Sequence, residues 1–437
     1  MATRKDRFIA RLVSFLARAV FRDIEVHWAE PPSPTAPVLS VSNHFGGFAD
    51  ALVLLHAFDR RPGIVARDVI WNVPVVGSFM DWIGAIPVHK PEDGTSVGVN
   101  EQMFGSCYQA LRDGGHLLIF PEGVTRNEPS MARVKTGAAR IALGAHASGA
   151  AGMVINPVGI HYEDKAALRS RVVVNGGRPI DVGTFVDSFD ADDGVVVDAD
   201  NRAAVDALTA EIDVRLRRAA PDYVDWREAH ALTSAAEVTL RSQLDDRAPV
   251  PVGLRDRLAN VLADRPDEQR TEICEAMHTY QATLDGIGAT DADIVSGHGG
   301  RPLLRALGQL LIGVLLAPFA LAGALINFVP FLIVKAVGLW RAAPSMLSTV
   351  KPIVAFAAFG IAWGLVIWWA GRQFGLRAAA AAFVLMPVYL AAVIQFVERV
   401  VLAGRLVRRW RVRGRRGAID DRVGSDRAAV VEAVLAA

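Results

Sequence analysis

The stretch that decides the fold is residues 37–58, PVLSVSNHFGGFADALVLLHAF. It opens with a short apolar run, residues 37–42, that is typical of a strand, and residues 49–58 follow with the spacing of a helix. Gly46 and Gly47 lie between the two patterns and allow the chain to bend sharply. We therefore predict a strand, a glycine turn and a helix in direct succession.

Two side chains in this stretch can support proton transfer. His44 follows the strand-like run, and Asp50 comes six positions later. On one continuous helix six positions turn about 600°, which would point the two side chains apart. The glycine turn instead places His44 on the loop and Asp50 in the first helical turn, close enough to pair. An imidazole oriented by a carboxylate can take a hydroxyl proton near neutral pH.

An alternative of equal weight needs no chemistry from this pair. Asp50 is then only a favourable acid near a helix N-terminus, and His44 is an ordinary turn residue.

Outside this stretch, residues 37–180 alternate between strand and helix patterns. The strand-like runs are residues 37–42, 63–66, 85–88, 116–120, 153–161 and 171–174, and the helical patterns are residues 49–58, a segment with Met103, Cys107 and Leu111, and residues 136–146. This alternation predicts fold class α/β, a mostly parallel sheet covered by helices. Motifs at the strand ends should then meet along one edge of the sheet.

A second motif, FPEGVTRNEP at residues 120–129, ends the apolar strand LLIF. Glu122, Thr125 and Arg126 project from this Pro and Gly loop, and the planar guanidinium of Arg126 can bind a phosphate through several donors. Taken alone, Glu122 and Arg126 would more often form a surface ion pair.

Two further cations follow predicted elements. Lys135 opens the helical segment KTGAARIALGA, and a helix N-terminus beside a lysine is a favourable anion site. His89 and Lys90 end the segment IGAIPVHK, where another cation would enlarge a positive pocket. The alternative for His89 and Lys90 is a solvated strand end.

Composition excludes several classes of function. The 437 residues favour two or three domains. Charge is balanced, with 47 Lys and Arg against 46 Asp and Glu, so we expect no nucleic-acid partner. The two cysteines, Cys107 and Cys274, form no CxxC motif, and we expect neither a disulfide framework nor a metal site.

The last third of the chain is apolar. Residues 306–334, 352–371 and 378–397 carry no charge, and a membrane span needs about 20 such residues. We predict a bent or re-entrant membrane segment followed by a transmembrane helical hairpin. Seven arginines between residues 405 and 416 indicate a cytosolic tail. With a cytosolic catalytic domain as well, the number of crossings is even. A single tilted span in the first run is the alternative.

These patterns divide the chain into six predicted segments. They are an amphipathic N-terminal helix and lead-in at 1–28, an α/β catalytic domain at 29–190, a helical connector at 191–300, the bent or re-entrant segment at 301–340, the hairpin at 348–400, and an Arg-rich cytosolic tail at 401–437. The N-terminal helix can lie on a membrane surface or pack on the domain.

In combination, the motifs resemble the PlsC-like glycerolipid acyltransferase family. The family's blocks occur here in order as residues 43–50, 84–90, 120–126 and 155–158, and the resemblance covers about residues 20–180. It implies the PlsC-like acyltransferase fold for residues 29–190. The chain departs from the family pattern in three places: five residues rather than four separate His44 and Asp50, Val124 is extra, and His89 with Lys90 stands where an arginine is common.

The resemblance also implies residue roles. It makes His44 the general base and Asp50 its orienting partner. Glu122 and Arg126 would bind the acceptor, Gly123 would permit its close approach, and Lys135 would belong to a phosphate site. Thr125 and Lys90 complete the expected acceptor-binding set.

The activity implied is that of a membrane-bound O-acyltransferase of phospholipid biosynthesis, in the cytoplasmic membrane with a cytosolic catalytic domain. The donor would be acyl-CoA or an acyl carrier protein, and the acceptor glycerol 3-phosphate or dihydroxyacetone phosphate. No metal or cofactor is expected, and membrane lipids are the expected partners. Lysophosphatidate is the alternative acceptor. Alternatives from other classes are a lipid hydrolase and a non-catalytic membrane lipid-binding protein.

Overall fold

The computed structural model describes residues 4–72, 76–88, 97–190, 196–244, 250–295, 302–340, 344–413 and 420–437. The chain divides into two compact units. The first comprises Met1–Ala229 with Ala343–Ser348, and the second comprises His230–Ala342 with Thr349–Ala437.

An eight-stranded sheet forms the centre of the first unit. Its strands are β1 (Phe21–Trp28), β2 (Val38–Ser42), β3 (Gly63–Arg67), β4 (Ile86–Val88), β5 (His116–Ile119), β6 (Val154–Tyr162), β7 (Ser170–Gly176) and β8 (Ile180–Asp181). The order is β1-β7-β6-β2-β5-β3-β4, and β8 pairs with β6. Strands β6, β2, β5, β3 and β4 run parallel, whereas β7 and β8 pair antiparallel to β6. The predicted α/β class with a mostly parallel sheet is confirmed.

Helices surround this sheet. They are α1 (Arg4–Val20), α2 (Phe48–Ala57), a short 3₁₀ helix (Asp68–Asn72), α3 (Val76–Ile83), α4 (Val97–Arg112), α5 (Gly137–Ala147), α6 (Val182–Asp190) and α7 (Arg202–Ala219). The core joins apolar residues of the parallel strands, such as Leu39 and Ile155, to residues of α4, α5 and α7, such as Cys107, Ile141 and Leu208. Burial of these faces fixes the strand ends from which the site is built.

Two elements outside residues 29–190 also pack with the sheet. Strand β1 pairs in parallel with β7, so the sheet begins at Phe21. Helix α7 contributes Leu208, Ile212 and Leu216 to the core, although its segment was predicted to be part of a connector. The reason is the spacing of its apolar residues, which gives α7 one face to bury against the sheet domain.

The second unit is helical. Its elements are α8 (Trp226–Gln243), α9 (Val252–Ala263), α10 (Asp267–Ile287), α11 (Asp291–Val295), α12 (Pro302–Ile326), α13 (Phe328–Gly338), α14 (Pro344–Phe374), α15 (Leu376–Arg413) and α16 (Asp420–Ala436). The first residues of α8 and of α14 belong to the first unit. Within the predicted tail, α16 packs against α10, and the Arg427 side chain bonds to Asp291.

Three of these helices are long and apolar enough to cross a membrane, by length and composition. They are Leu303–Ile326, Met346–Phe374 and Leu376–Arg408. The first apolar run breaks at Asn327 rather than at Pro318, which lies inside α12. The Asn327 side chain donates to the Gly323 carbonyl and accepts from the Trp363 indole, both at 2.8 Å, so the polar group at the break is satisfied. Helix α15 packs along α12. The membrane arrangement and the six segment boundaries stay predictions.

Candidate active site

The candidate site lies where three parallel strands of the first unit end. Strand β2 ends at Ser42, β5 at Ile119 and β6 at Tyr162. Because β2 pairs in parallel with both β5 and β6, the segments that follow these strands emerge at the same edge of the sheet. Sequence motifs that are far apart in the chain therefore meet there.

His44 and Asp50 form a direct pair. The His44 Nδ1 nitrogen lies 2.8 Å from the Asp50 Oδ2 oxygen, and the Asp50 side chain is fully buried. Gly47 adopts a φ of 58°, and α2 starts at the next residue, Phe48. The predicted glycine turn and the predicted proximity of the two side chains are thus confirmed. Their catalytic roles stay predictions.

The pair leaves one imidazole nitrogen for a substrate. A carboxylate can only accept, so Nδ1 carries the hydrogen that is donated to Asp50, and Nε2 is the basic nitrogen. The His44 ring stacks on Phe120, with 4.1 Å between ring centroids. Its side chain is 20% exposed, which allows a ligand to reach it.

Asp50 accepts two further hydrogen bonds. The Gly46 backbone N–H donates to Oδ2 at 2.8 Å, and the Tyr162 hydroxyl donates to Oδ1 at 2.6 Å. Burial, together with the Asp50 charge, raises the pKa of Tyr162 well above its usual value, so the phenol keeps its proton. The sequence patterns did not predict that Tyr162 belongs to the site, because an aromatic residue at a strand end gives no distinctive signal.

The loop around His44 is fixed by side chains of other elements. Asn43, which is buried, donates to the Ile160 carbonyl at 3.0 Å and accepts from the Ile160 N–H at 2.7 Å. The Ser348 hydroxyl donates to the Gly46 carbonyl at 3.0 Å. These contacts bind the loop to strand β6 and to the first turn of α14.

Glu122 is buried behind the histidine. Its Oε1 oxygen accepts from the His44 backbone N–H and its Oε2 oxygen from the Ala132 N–H, both at 2.7 Å. Burial raises the pKa of Glu122, and the two backbone donors oppose that rise. These contacts give Glu122 a structural role, because they join the His44 loop to the segment after β5. The predicted contact with an acceptor stays a prediction.

Gly123 and Lys135 lie against each other. Gly123 has a φ of 63°, in the left-handed region, and a Cβ added there would lie 3.1 Å from the Lys135 Nζ. Only glycine leaves both the backbone turn and the lysine side chain in place. Lys135, Thr125 and Arg126 are all exposed, as expected of groups that bind a soluble anion.

Lys165 is a cation that the sequence reading missed. Its Nζ donates to the Arg126 carbonyl at 3.4 Å and lies 5.7 Å from the Phe45 ring centroid and 5.8 Å from that of Trp226. Burial lowers the pKa of Lys165, and the charges of Asp50 and Glu128 oppose this. Lys90, which the sequence placed in the same pocket, lies outside the described residues, as does His89.

The site thus contains two groups of side chains. We call His44, Asp50, Glu122 and Tyr162 the histidine cluster, and Arg126, Lys135 and Lys165 the cationic rim. Within the described part of the chain, no group of three or more His, Cys, Asp or Glu side chains is arranged to hold a metal ion.

Comparison with known proteins identifies the domain that bears this site. The family described as Acyltransferase matches residues 23–161, which include His44, Asp50 and the 120–126 motif. The chain therefore contains an acyltransferase domain of the kind this family describes. The family resemblance of the sequence motifs is thereby confirmed.

Relatives of the acyltransferase domain include a glycerol-3-phosphate O-acyltransferase 2 of Saccharomyces cerevisiae. It is 28% identical over 200 residues, which cover 45% of this chain and 26% of the yeast protein. The 1-acyl-sn-glycerol-3-phosphate acyltransferase LPAT1 of Arabidopsis thaliana, a chloroplast protein, is 26% identical over 136 residues, which cover 31% of this chain and 36% of the plant protein. The chain therefore spans well under half the length of these relatives.

One solved structure resembles the acyltransferase domain weakly. It is the 1-acyl-sn-glycerophosphate acyltransferase PlsC of Thermotoga maritima, with a TM-score of 0.36 and 16% sequence identity. The match covers 50% of this chain and 81% of that one.

Proposed function

We propose that this protein is a membrane-bound O-acyltransferase that moves a fatty acyl group from a thioester donor to a hydroxyl of glycerol 3-phosphate or dihydroxyacetone phosphate. The observation that carries the proposal is the buried Asp50 carboxylate, 2.8 Å from Nδ1 of His44, whose other nitrogen can take a proton. The donor is acyl-CoA or an acyl carrier protein, since both present the same thioester.

The reaction is a direct transfer. Nε2 of His44 takes the proton of the acceptor hydroxyl while that oxygen attacks the thioester carbonyl carbon. The new C–O ester bond forms, the C–S bond breaks, and the departing thiolate takes the proton back from the imidazolium. Asp50 holds the ring in place and stabilises the imidazolium charge. The protein supplies position, which is worth a large part of the rate in a two-substrate reaction.

The cationic rim supports a phosphate-bearing acceptor. Arg126 offers a planar set of donors, and Lys135 adds a positive charge beside Gly123. Lys165 joins this group through the Arg126 carbonyl. A phosphate bound by these cations would hold the attached hydroxyl near the histidine cluster.

A second acceptor, lysophosphatidate, has its own support. Relatives in Arabidopsis thaliana, Brassica napus and Chlamydomonas reinhardtii are named 1-acyl-sn-glycerol-3-phosphate acyltransferases. We rank glycerol 3-phosphate first, because the relative whose match covers 45% of this chain is named a glycerol-3-phosphate enzyme, whereas the plant and algal matches cover 31%.

Membrane attachment is part of the proposal. Helices α14 and α15 supply the two crossings of the hairpin, and α12 with α13 forms the bent or re-entrant segment. The arginines at 405–416 favour a tail on the cytosolic side of the cytoplasmic membrane. With an even number of crossings, the acyltransferase domain is cytosolic too.

The test is an acyl-transfer assay on purified membranes that contain the protein, with a labelled acyl thioester. Glycerol 3-phosphate, dihydroxyacetone phosphate and lysophosphatidate are compared as acceptors, and both acylated product and free fatty acid are measured. Product that depends on one of the first two acceptors supports the proposal. Dependence on lysophosphatidate supports the second acceptor, and free acid released equally without any acceptor indicates a hydrolase.

A further inference from the structure

We infer that Tyr162 is a positioning residue that sets both the orientation and the basicity of the His44–Asp50 pair. The inference rests on the proposed function, since that pair is the proposed base. It concerns a residue of β6 that lies 118 positions from His44 in the chain and that no sequence motif marks.

The first reason is the distribution of donors on the Asp50 carboxylate. Oδ2 accepts from the His44 imidazole and from the Gly46 N–H, while Oδ1 accepts from Tyr162 at 2.6 Å. Asp50 is fully buried, so water does not supply a substitute donor. The phenol therefore fixes the rotation of the carboxylate, and with it the direction of the bond to His44.

The second reason is electrostatic. A hydrogen bond from a neutral donor stabilises a carboxylate and lowers its affinity for protons. The hydrogen bond from Tyr162 thereby weakens the hydrogen bond that the Asp50 carboxylate accepts from the imidazole N–H. Without the phenol, the carboxylate would be a stronger acceptor for the imidazole N–H.

The third reason is the tight packing around this hydrogen bond. A Cβ added to Gly46 would lie 2.8 Å from Asp50 Oδ1 and 3.0 Å from the Tyr162 hydroxyl. Gly46 thus fits against both members of the bond. The bond is enclosed by the same loop that carries His44.

Other titratable groups act on the pair, and the test must leave them unchanged. Glu122, on the segment after β5, interacts electrostatically with His44 and Asp50, and Lys165, after β6, interacts with Asp50. Tyr162→Phe removes one hydroxyl and alters neither of these groups. A change in pH behaviour is therefore assigned to the lost hydrogen bond.

The experiment compares the wild-type protein in membranes with Tyr162→Phe and with Tyr108→Phe as the matched control. Tyr108 lies on α4, where its hydroxyl is 3.5 Å from the Arg140 carbonyl. For Tyr162→Phe we expect kcat to fall about tenfold, the size of one charge-assisted hydrogen bond. We also expect the acid limb of the pH–rate profile to move to higher pH, with little change in the acceptor KM. Tyr108→Phe should match the wild type in all three.

A spectroscopic measurement decides the inference even if the wild type transfers no acyl group. In protein labelled with ¹⁵N-histidine, the Nδ1 proton resonance of His44 is assigned by its loss in His44→Ala. We expect Tyr162→Phe to move it downfield, because a more basic carboxylate accepts a stronger hydrogen bond. An unmoved resonance with an unmoved acid limb would overturn the inference. An absence of transfer in the wild type would instead overturn the proposed function, while the resonance still reports the positioning.

Discussion

The histidine cluster and the cationic rim lie at the same edge of the sheet but differ in how the protein holds them. Asp50 and Glu122 are buried, and the donors on their carboxylates come from three separate segments of the chain. Arg126 and Lys135 are exposed on a loop and at the start of a helix. The groups proposed for proton transfer are thus held in place by the fold, and the cations proposed to bind the acceptor lie at the surface.

The comparison predicts that changes in the histidine cluster reduce the catalytic rate and that changes in the cationic rim reduce acceptor affinity. The largest effect is expected for His44→Ala. Loss of a general base should lower kcat about 100- to 10,000-fold. His27→Ala, whose ring lies 3.4 Å from Glu25 on β1, is the control and should keep full activity. The measurement is acyl transfer at saturating substrates, with membrane insertion checked by fractionation.

Gly46→Ala should give the next largest effect. The new Cβ would lie 2.8 Å from Asp50 Oδ1 and 3.1 Å from a ring carbon of Tyr162, so the carboxylate must shift away from His44. We expect kcat to fall about tenfold or more, in line with the loss of one charge-assisted hydrogen bond. Gly105→Ala is the matched control, because a Cβ there meets nothing within 4 Å. Equal rates for the two variants would show that the close packing at Gly46 is unimportant.

Glu122→Gln should affect stability as well as rate. An amide can offer only one accepting oxygen to the two backbone N–H groups of His44 and Ala132, and the other N–H is left unsatisfied. We expect the acyltransferase domain to lose about 1–3 kcal/mol, the usual cost of an unpaired buried donor. The thermal unfolding midpoint in detergent measures it, and an unchanged midpoint would exclude this structural role.

The stability difference between the wild type and Glu122→Gln should also depend on pH. Burial raises the pKa of Glu122, so the folded state holds that proton more tightly than the unfolded chain does. The stabilisation from this proton is complete below the ordinary glutamate pKa and is lost as the pH rises through the raised pKa. The advantage of the wild type over the variant should therefore shrink on going from acid to neutral pH.

The smallest effect is expected in the cationic rim. Arg126→Ala should raise the acceptor KM about tenfold, as for one charge-assisted contact, and leave the donor KM nearly unchanged. Arg202→Ala, which removes a 94% exposed cation on α7, is the control. A donor KM that rises as much as the acceptor KM would place the Arg126 charge on the thioester substrate instead.

Local sequence patterns predicted much of the fold and five of the seven residues in the histidine cluster and the cationic rim. The apolar run before His44 and the two glycines after it were enough to place His44 and Asp50 together, because that pairing depends on one short segment. The pattern did not reveal Tyr162 or Lys165, because their positions depend on where β6 ends relative to β2. The pattern also did not reveal that both carboxylate oxygens of Glu122 accept hydrogen bonds from backbone N–H groups. One of these donors, the Ala132 N–H, lies in a loop of irregular structure.

The most direct test of the separate roles of the histidine cluster and the cationic rim is a single-turnover experiment. It measures the rate of acyl transfer against acceptor concentration for wild type, His44→Ala and Arg126→Ala. We predict that His44→Ala lowers the plateau rate and leaves the half-saturating concentration unchanged. Arg126→Ala should raise the half-saturating concentration and leave the plateau near that of the wild type. A plateau for His44→Ala equal to the wild-type value would contradict the claim that this imidazole removes the proton of the acceptor hydroxyl.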